Sequence, residues 1–484
     1  MRLYKRLPVY FIIVLCSNCQ YKFPELPTPG TGTADFSKTI AIGNSLTAGF
    51  ANGALYDQGQ ANAYVNIIAG QINRVIPVTF NQPDINSPVG YSGTTTDGTP
   101  MGRLILVNPA NPFPMPIIPG DPFNDNYAGD KTALNNFGVP GLRLIDVDVA
   151  GYAGQNRYFK RFALDVTNSS VLSDALAANA TFFTFWLGNN DILGYATGGA
   201  TGNENGDGSN GDDLVSVAVF TAKYATVIAR LVQDGAQGVI ANIPDVTDIP
   251  FFTTVPYNFL YFNNSVPADT LAVYNLNQQY ANYNQGLAEA LAAGEITAAE
   301  AGKRQVDFTF GANALLLYDE YLTDLSHRGL ASIRPATGSD LPTFRSALVI
   351  GRDLGAGIVG TEAPLEDAYV LTPEEQSIIA ARTAEFNAVI KAVAGQYSEN
   401  LALVDMNAIF REFAARGVSI EGSLLTASIF PPFGGFSLDG IHPNPRGAAF
   451  IANRFIEAIN RTFAATIPLV NPNNYPGNEL PVLN

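Results

Sequence analysis

The chain has 484 residues, of which 47% are hydrophobic, and a formal net charge of -16; it contains two cysteines and two histidines. This length and apolar content can build a large core, in one domain or in about three, and no internal repeat points to a solenoid or a propeller. The acidic balance excludes nucleic acid as a partner, because a phosphate-tracking surface gathers Lys and Arg on one face.

Residues 1–19 place Arg2, Lys5 and Arg6 before an apolar run from Val9 to Leu15, succeeded by small and polar residues. The run is too short to span a bilayer and reads as an export signal. Both cysteines lie here. Cys19 comes after Ser17 and Asn18, whereas Cys16 comes after bulky Leu15, so Cys19 is the better lipidation residue and Cys16 the lesser one; an ordinary signal cut nearby, or an uncleaved anchor, stays open beside them. This predicts an exported protein held to a membrane through an N-terminal lipid anchor, in a bacterial cell envelope at the outer membrane or cell surface. The rest of the chain has no cysteine for a disulfide, a thiolate metal site or a nucleophile. Residues 20–37 are rich in Pro, Gly and Thr without periodicity, and are expected to form a flexible tether. A single domain is expected over residues 38–484.

Within that domain, short apolar runs at "TIAIG", "ATFFTFWLG", "GVIANIP" and "LALVDM" predict strands covered on both faces, hence a parallel sheet. Helical patterns lie between them. One begins at Val217. Another has Thr372 as N-cap, Pro373 in the first helical position and Glu375 completing a capping box, with Ile379, Phe386, Val389, Ile390 and Val393 on one stripe. Alternating strand and helix predict a doubly wound, mostly parallel α/β sheet, in which ligands gather at the carboxyl ends of the strands.

Two long insertions interrupt the pattern, at about 82–130 and 250–371. They are expected to form a cap over the strand ends. The aromatic run "FFTTVPYNFLYF" that opens the second reads as cap core before it reads as an acyl-chain wall or a membrane-contacting lid. The loop 203–213 has Asn203, Asn205, Asp207 and Gly208 at calcium-loop spacing, but Leu214 stands where a bidentate Glu belongs. It is therefore expected to be a polar loop at the rim of a site, with calcium binding left open. Residues 467–484 read as an extended strap along the surface.

The residues just past the strand ends carry the chemistry. After the first strand comes "GNSLTAG": Ser45 sits at a strand end and helix start, where free N–H groups favour negative charge. After the second comes "GNND", in which Asn190 offers a side-chain amide donor. Near the C-terminus, "DGIHP" sets Asp439 three residues before His442, with Gly440 permitting a turn that brings carboxylate to imidazole. A serine hydroxyl needs such a base, and the carboxylate fixes the tautomer and orientation of the imidazole. His327, in the polar stretch "DLSHRG", reads as a solvated loop residue.

"GNSLTAG", "NFGVPG", "GNND" and "DGIHP", in this order, resemble the four sequence blocks of the SGNH or GDSL hydrolases, a family of serine esterases and lipases. The resemblance implies a flavodoxin-like three-layer α/β/α fold. It implies Ser45 as nucleophile, His442 as base and Asp439 as its orienting acid, and an oxyanion hole from Ser45, Gly141 and Asn190. It implies hydrolysis of acyl or acetyl esters, on lipid or carbohydrate, without metal or organic cofactor. The family usually has Asp where this chain has Asn44; Asn keeps a side-chain acceptor for local backbone bonds, so the change is expected to leave activity in place. The alternative reading is a surface protein that binds glycan or lipid on the same fold with weak turnover or none.

Overall fold

The computed structural model describes residues 28–481; the export signal and both lipidation residues, Cys19 and Cys16, lie outside the described residues. Five strands make the central sheet: β1 (Thr39–Gly43), β2 (Asn136–Gly138), β3 (Phe182–Trp186), β4 (Gln237–Ala241) and β5 (Leu401–Val404). Their order is β5-β4-β3-β1-β2 and every pairing is parallel. This is the flavodoxin-like order, in which the connections reverse direction between β1 and β3 and open a crevice at their carboxyl ends. β2 is the one sheet strand the apolar runs do not predict, because three residues carry no periodicity.

The helices include α1 (Ser45–Ala48), α2 (Tyr64–Ile72), α3 (Asn190–Thr197), α4 (Val217–Leu231), α5 (Pro267–Ala292), α6 (Pro373–Gln396) and α7 (Pro445–Phe463), with further helices between them. Successive residues of a strand point to opposite faces, and β3 uses both. Phe185 meets Tyr224 of α4 with ring centroids 5.7 Å apart, while Trp186 meets Tyr64 of α2 and Phe455 of α7, each at 5.7 Å. The α4 face is closed by α6, where Phe386 stacks on Phe220. These contacts make the three layers. α6 begins with the expected capping box: the Thr372 hydroxyl accepts from the Glu375 N–H, and the Glu375 carboxylate accepts from the Thr372 N–H at 2.6 Å.

The tether expected at 20–37 needs correction over its described part. The Thr33 N–H donates to the Phe463 carbonyl at 2.8 Å, and the Thr466 N–H to the Gly30 carbonyl at 2.9 Å. Phe36 is buried against Phe182, at 4.6 Å between centroids. An aromatic side chain and backbone hydrogen bonds at the end of α7 thus tie residues 30–36 into the domain. The C-terminal strap lies as expected, held where Asn453 of α7 exchanges two hydrogen bonds with the Val470 backbone, at 2.8 and 2.9 Å.

Insertion 82–130 folds into two short hairpins, Gly93–Thr94 with Pro100–Met101 and Leu104–Val107 with Phe113–Pro116. Insertion 250–371 contains α5, the helix Ala298–Arg304 and three antiparallel strand pairs around small apolar cores of its own. Arg334 is buried there between the carboxylates of Asp319 and Asp340. In its opening aromatic run, Phe251 and Phe252 are buried whereas Phe259 and Tyr261 are exposed.

Candidate active site

The crevice between β1 and β3 is where the chemistry-bearing residues meet. β1 ends at Gly43 and Asn44 caps α1, its side-chain oxygen accepting from the Leu46 N–H at 3.0 Å. That bond starts the helix at Ser45 and aims its hydroxyl into the crevice. β2 packs close behind: a Cβ on Gly138 would come within 2.4 Å of the Ala48 backbone nitrogen, so only glycine allows this strand end to lie against α1. Because Asn44 is buried, Asn44→Ala leaves the Leu46 N–H without its acceptor; we expect a loss of about 1 kcal/mol in urea unfolding. Asn44→Asp keeps the acceptor and is expected to retain turnover.

Ser45 and His442 are 397 residues apart in sequence, yet Ser45 Oγ lies 2.8 Å from His442 Nε2. On the other side of the ring, Nδ1 lies 3.0 Å from Asp439 Oδ2. The carboxylate also accepts the N–H of Ile441, His442 and Gly53, each at 2.9 Å. Burial works to raise the Asp439 pKa, but the His442 charge and these hydrogen bonds outweigh it and hold the carboxyl down at about 2. Asp439 is therefore an anion throughout the neutral range. His327 stands apart on the surface, its Nε2 3.2 Å from Glu295.

Asn190 opens α3 and shares two cavity walls with Ser45. Its amide donates to the Leu142 carbonyl at 3.0 Å, which leaves its second N–H for another acceptor. Gly141 lines the larger cavity with φ +82°, a left-handed conformation that glycine adopts without cost. Between them stands a residue for which the sequence offers no role beyond a turn: Asp191 accepts from the Leu144 N–H at 2.7 Å and the Ile145 N–H at 3.3 Å, fixing the Gly141 loop to α3. Burial pushes its carboxyl up to about 7 although those bonds and Arg143 pull it down. A carboxyl with a raised folded pKa favours folding fully below its unfolded value, near 3.8, and loses that contribution as pH rises through about 7. Between pH 4 and pH 8, unfolding free energy should thus fall more steeply in the native chain than in Asp191→Asn, by on the order of 1 kcal/mol or more in urea titrations.

Asn52 and Gly53 also escape a reading of the sequence. The Asn52 N–H donates to Ser437 Oγ, and its side-chain oxygen accepts from the Leu438 N–H, at 3.0 and 2.9 Å. This Asn-Gly turn therefore carries the segment that presents Asp439. Phe50 lies beside the imidazole, 5.0 Å between ring centroids.

Two cavities reach Ser45. One, of about 50 Å³, is walled by apolar groups including Trp186, Val246, Ile249 and Phe436. The other, of about 580 Å³, is open and bordered by Gly141, Arg143, Asp146, Tyr152 and Tyr158. No residue of 82–130 or 250–371 lines either. The expected cap is thus not found at the cavity walls: the second insertion builds small cores of its own and meets the site from behind, where the Phe251 N–H donates to the Gly440 carbonyl at 2.9 Å, and the first packs Ile85 and Phe123 against Phe50 and Tyr158. The loop 203–213 does reach the rim. Gly211 borders the open cavity, and the Asp213 carboxylate accepts from the Asn203 N–H at 2.9 Å.

The model of GDSL-like lipases and acylhydrolases matches residues 40–455, most of the chain. The chain belongs to the GDSL-like lipase/acylhydrolase family. As a GDSL-like protein it is a serine ester hydrolase. No curated relative matches the sequence. Among solved structures, this GDSL-like chain is similar to an alpha/beta hydrolase enzyme from the metagenome of Lake Arreo, Spain, at 11% identity, covering 88% of this chain and 96% of that one with a TM-score of 0.34. It is also similar to an acetylxylan esterase from Geobacillus stearothermophilus, at 10% identity, 88% and 95% coverage and a TM-score of 0.32.

Proposed function

We propose that this protein is an exported, lipid-anchored carboxylester hydrolase in which Ser45, His442 and Asp439 perform two-step acyl transfer. The observation that carries the reading is the hydrogen-bonded series from Ser45 Oγ through His442 to Asp439, at 2.8 and 3.0 Å. His442 Nε2 takes the hydroxyl proton as Ser45 Oγ attacks the ester carbonyl. The oxyanion is held by the N–H groups of Ser45 and Gly141 and the free amide N–H of Asn190. The alcohol leaves with the proton from His442; water then attacks the acyl-enzyme, giving its proton to His442, and the acid departs as Ser45 recovers its hydrogen.

The two cavities divide the substrate. About 50 Å³ of apolar space beside Ser45 holds only a few heavy atoms. The acyl group is accordingly short, acetyl or near it. The open cavity, with its arginine, carboxylate and tyrosine hydroxyls, suits a polar alcohol such as a carbohydrate. Nitrophenyl esters of two, four, eight and twelve carbons test this: turnover should be highest for the two shortest, and a twelve-carbon optimum would contradict the assignment.

Export and anchoring rest on residues 1–19. No helix among the described residues is long and apolar enough to cross a membrane. Cells fed labelled palmitate should incorporate label into the full chain and not into Cys19→Ala; label retained in that variant but lost in Cys16→Ala would move the anchor.

A further inference from the structure

Three carboxylates meet where insertion 250–371 returns to the main domain. Glu320 lies just past the strand Leu316–Tyr318 and Asp367 shortly before α6, whose first turn carries Glu375. One oxygen from each lies within 4.8 Å of the others. Glu375 is 0% exposed. Its Oε2 accepts the Thr372 N–H and hydroxyl, at 2.6 and 2.9 Å, while its Oε1 is buried with no hydrogen-bond partner. Asp367 Oδ1 is buried and unpartnered in the same way. A carboxylate oxygen taken from water without a partner is costly, and the nearby cations are committed elsewhere: Arg334 pairs with Asp319 and Asp340, and Lys303 with Asp319.

We propose that Glu320, Asp367 and Glu375 form a binding site for a divalent cation of the calcium type. All three donors are hard oxygens, which suit calcium or magnesium and disfavour zinc and softer ions. Magnesium is usually held by one or two carboxylates in near-ideal octahedral geometry, whereas calcium accepts more oxygens in a looser shell. Glu320 and Asp367 border a cavity of about 750 Å³, lined also by Thr201 and Glu204, with room for water to complete that shell, while Glu375 closes the site from the buried side.

The site would act as a clasp. A Cβ on Gly199, just past the end of α3, would come within 2.1 Å of the Asp367 carbonyl oxygen, so the two segments touch through their backbones. A cation on Asp367 and Glu375 would fasten the insertion's return to α6 and steady the far end of the helix that Asn190 begins.

The test is calorimetric titration of calcium chloride into the full chain after chelator treatment, with thermal unfolding in parallel. Native protein should bind saturably with a Kd at or below about 1 mM and unfold at higher temperature with calcium than without. Glu320→Gln, at an exposed position, and Asp367→Asn should each weaken binding about tenfold or more. Asp207→Asn in the 203–213 loop should leave it unchanged. Absence of saturable heat and of a thermal shift in folded native protein would overturn the proposal, as would a response intact in both carboxylate variants or lost in Asp207→Asn.

Discussion

Ser45→Ala is expected to lower nitrophenyl ester turnover by about 10⁴-fold or more, and His442→Ala by a similar factor. The double variant should be no worse than either alone, because the two groups act as one unit: the serine is nucleophilic only while the imidazole takes its proton. Ser45 Oγ has His442 as its partner and the residue is 8% exposed, so removing the hydroxyl leaves a small gap and little else. Unfolding midpoints near the native value would show that the loss is chemical. Additive losses in the double variant would instead mean that the residues act separately. His327→Ala, at the exposed histidine paired with Glu295, should leave turnover unchanged.

The second large effect concerns Asn190. Asn190→Ala should cost about 10²- to 10³-fold in kcat with KM nearly unchanged, the pattern of a donor whose bond strengthens only as the oxyanion forms. The variant also frees the Leu142 carbonyl, which now accepts from the Asn190 amide at 3.0 Å. A purely structural role would shift the unfolding midpoint and KM along with kcat. A kcat loss alone assigns the amide to the transition state.

Much of this site is legible in the sequence because its parts sit at the ends of apolar runs. "TIAIG" and "ATFFTFWLG" are short, continuous and bounded by glycine, as strands buried on both faces must be, so Ser45 and Asn190 fall at one edge of the sheet by topology alone. His442 separates from His327 because one neighbours a Gly turn with Asp439 in reach and the other lies in a polar loop. The capping box at Thr372 is legible because its bonds span three residues.

The features that escape such a reading depend on partners distant in sequence. Gly53 donates to Asp439 across 386 residues, and nothing local distinguishes "ANGA" from any other Asn-Gly turn. Asp191 resembles a turn residue because its two backbone donors lie more than forty positions before it. Residues 30–36 lack periodicity and read as tether, but Phe36 finds its pocket on Phe182. The insertions carry no strand or helix pattern tied to the main sheet, so their length suggests a cap, while the second builds most of its packing from small cores of its own and joins the main core at its two ends. Glu320, Asp367 and Glu375 are likewise scattered in the chain and converge only through that packing.

The role of Ser45 as nucleophile is tested most directly by treating the full chain with a fluorophosphonate and mapping the adduct by peptide mass spectrometry. One phosphonylated residue is expected, Ser45, with free Ser45 and ester turnover lost together, and no adduct in Ser45→Ala. An adduct on another serine, or ester turnover lost on treatment while Ser45 stays unlabelled, would contradict the assignment.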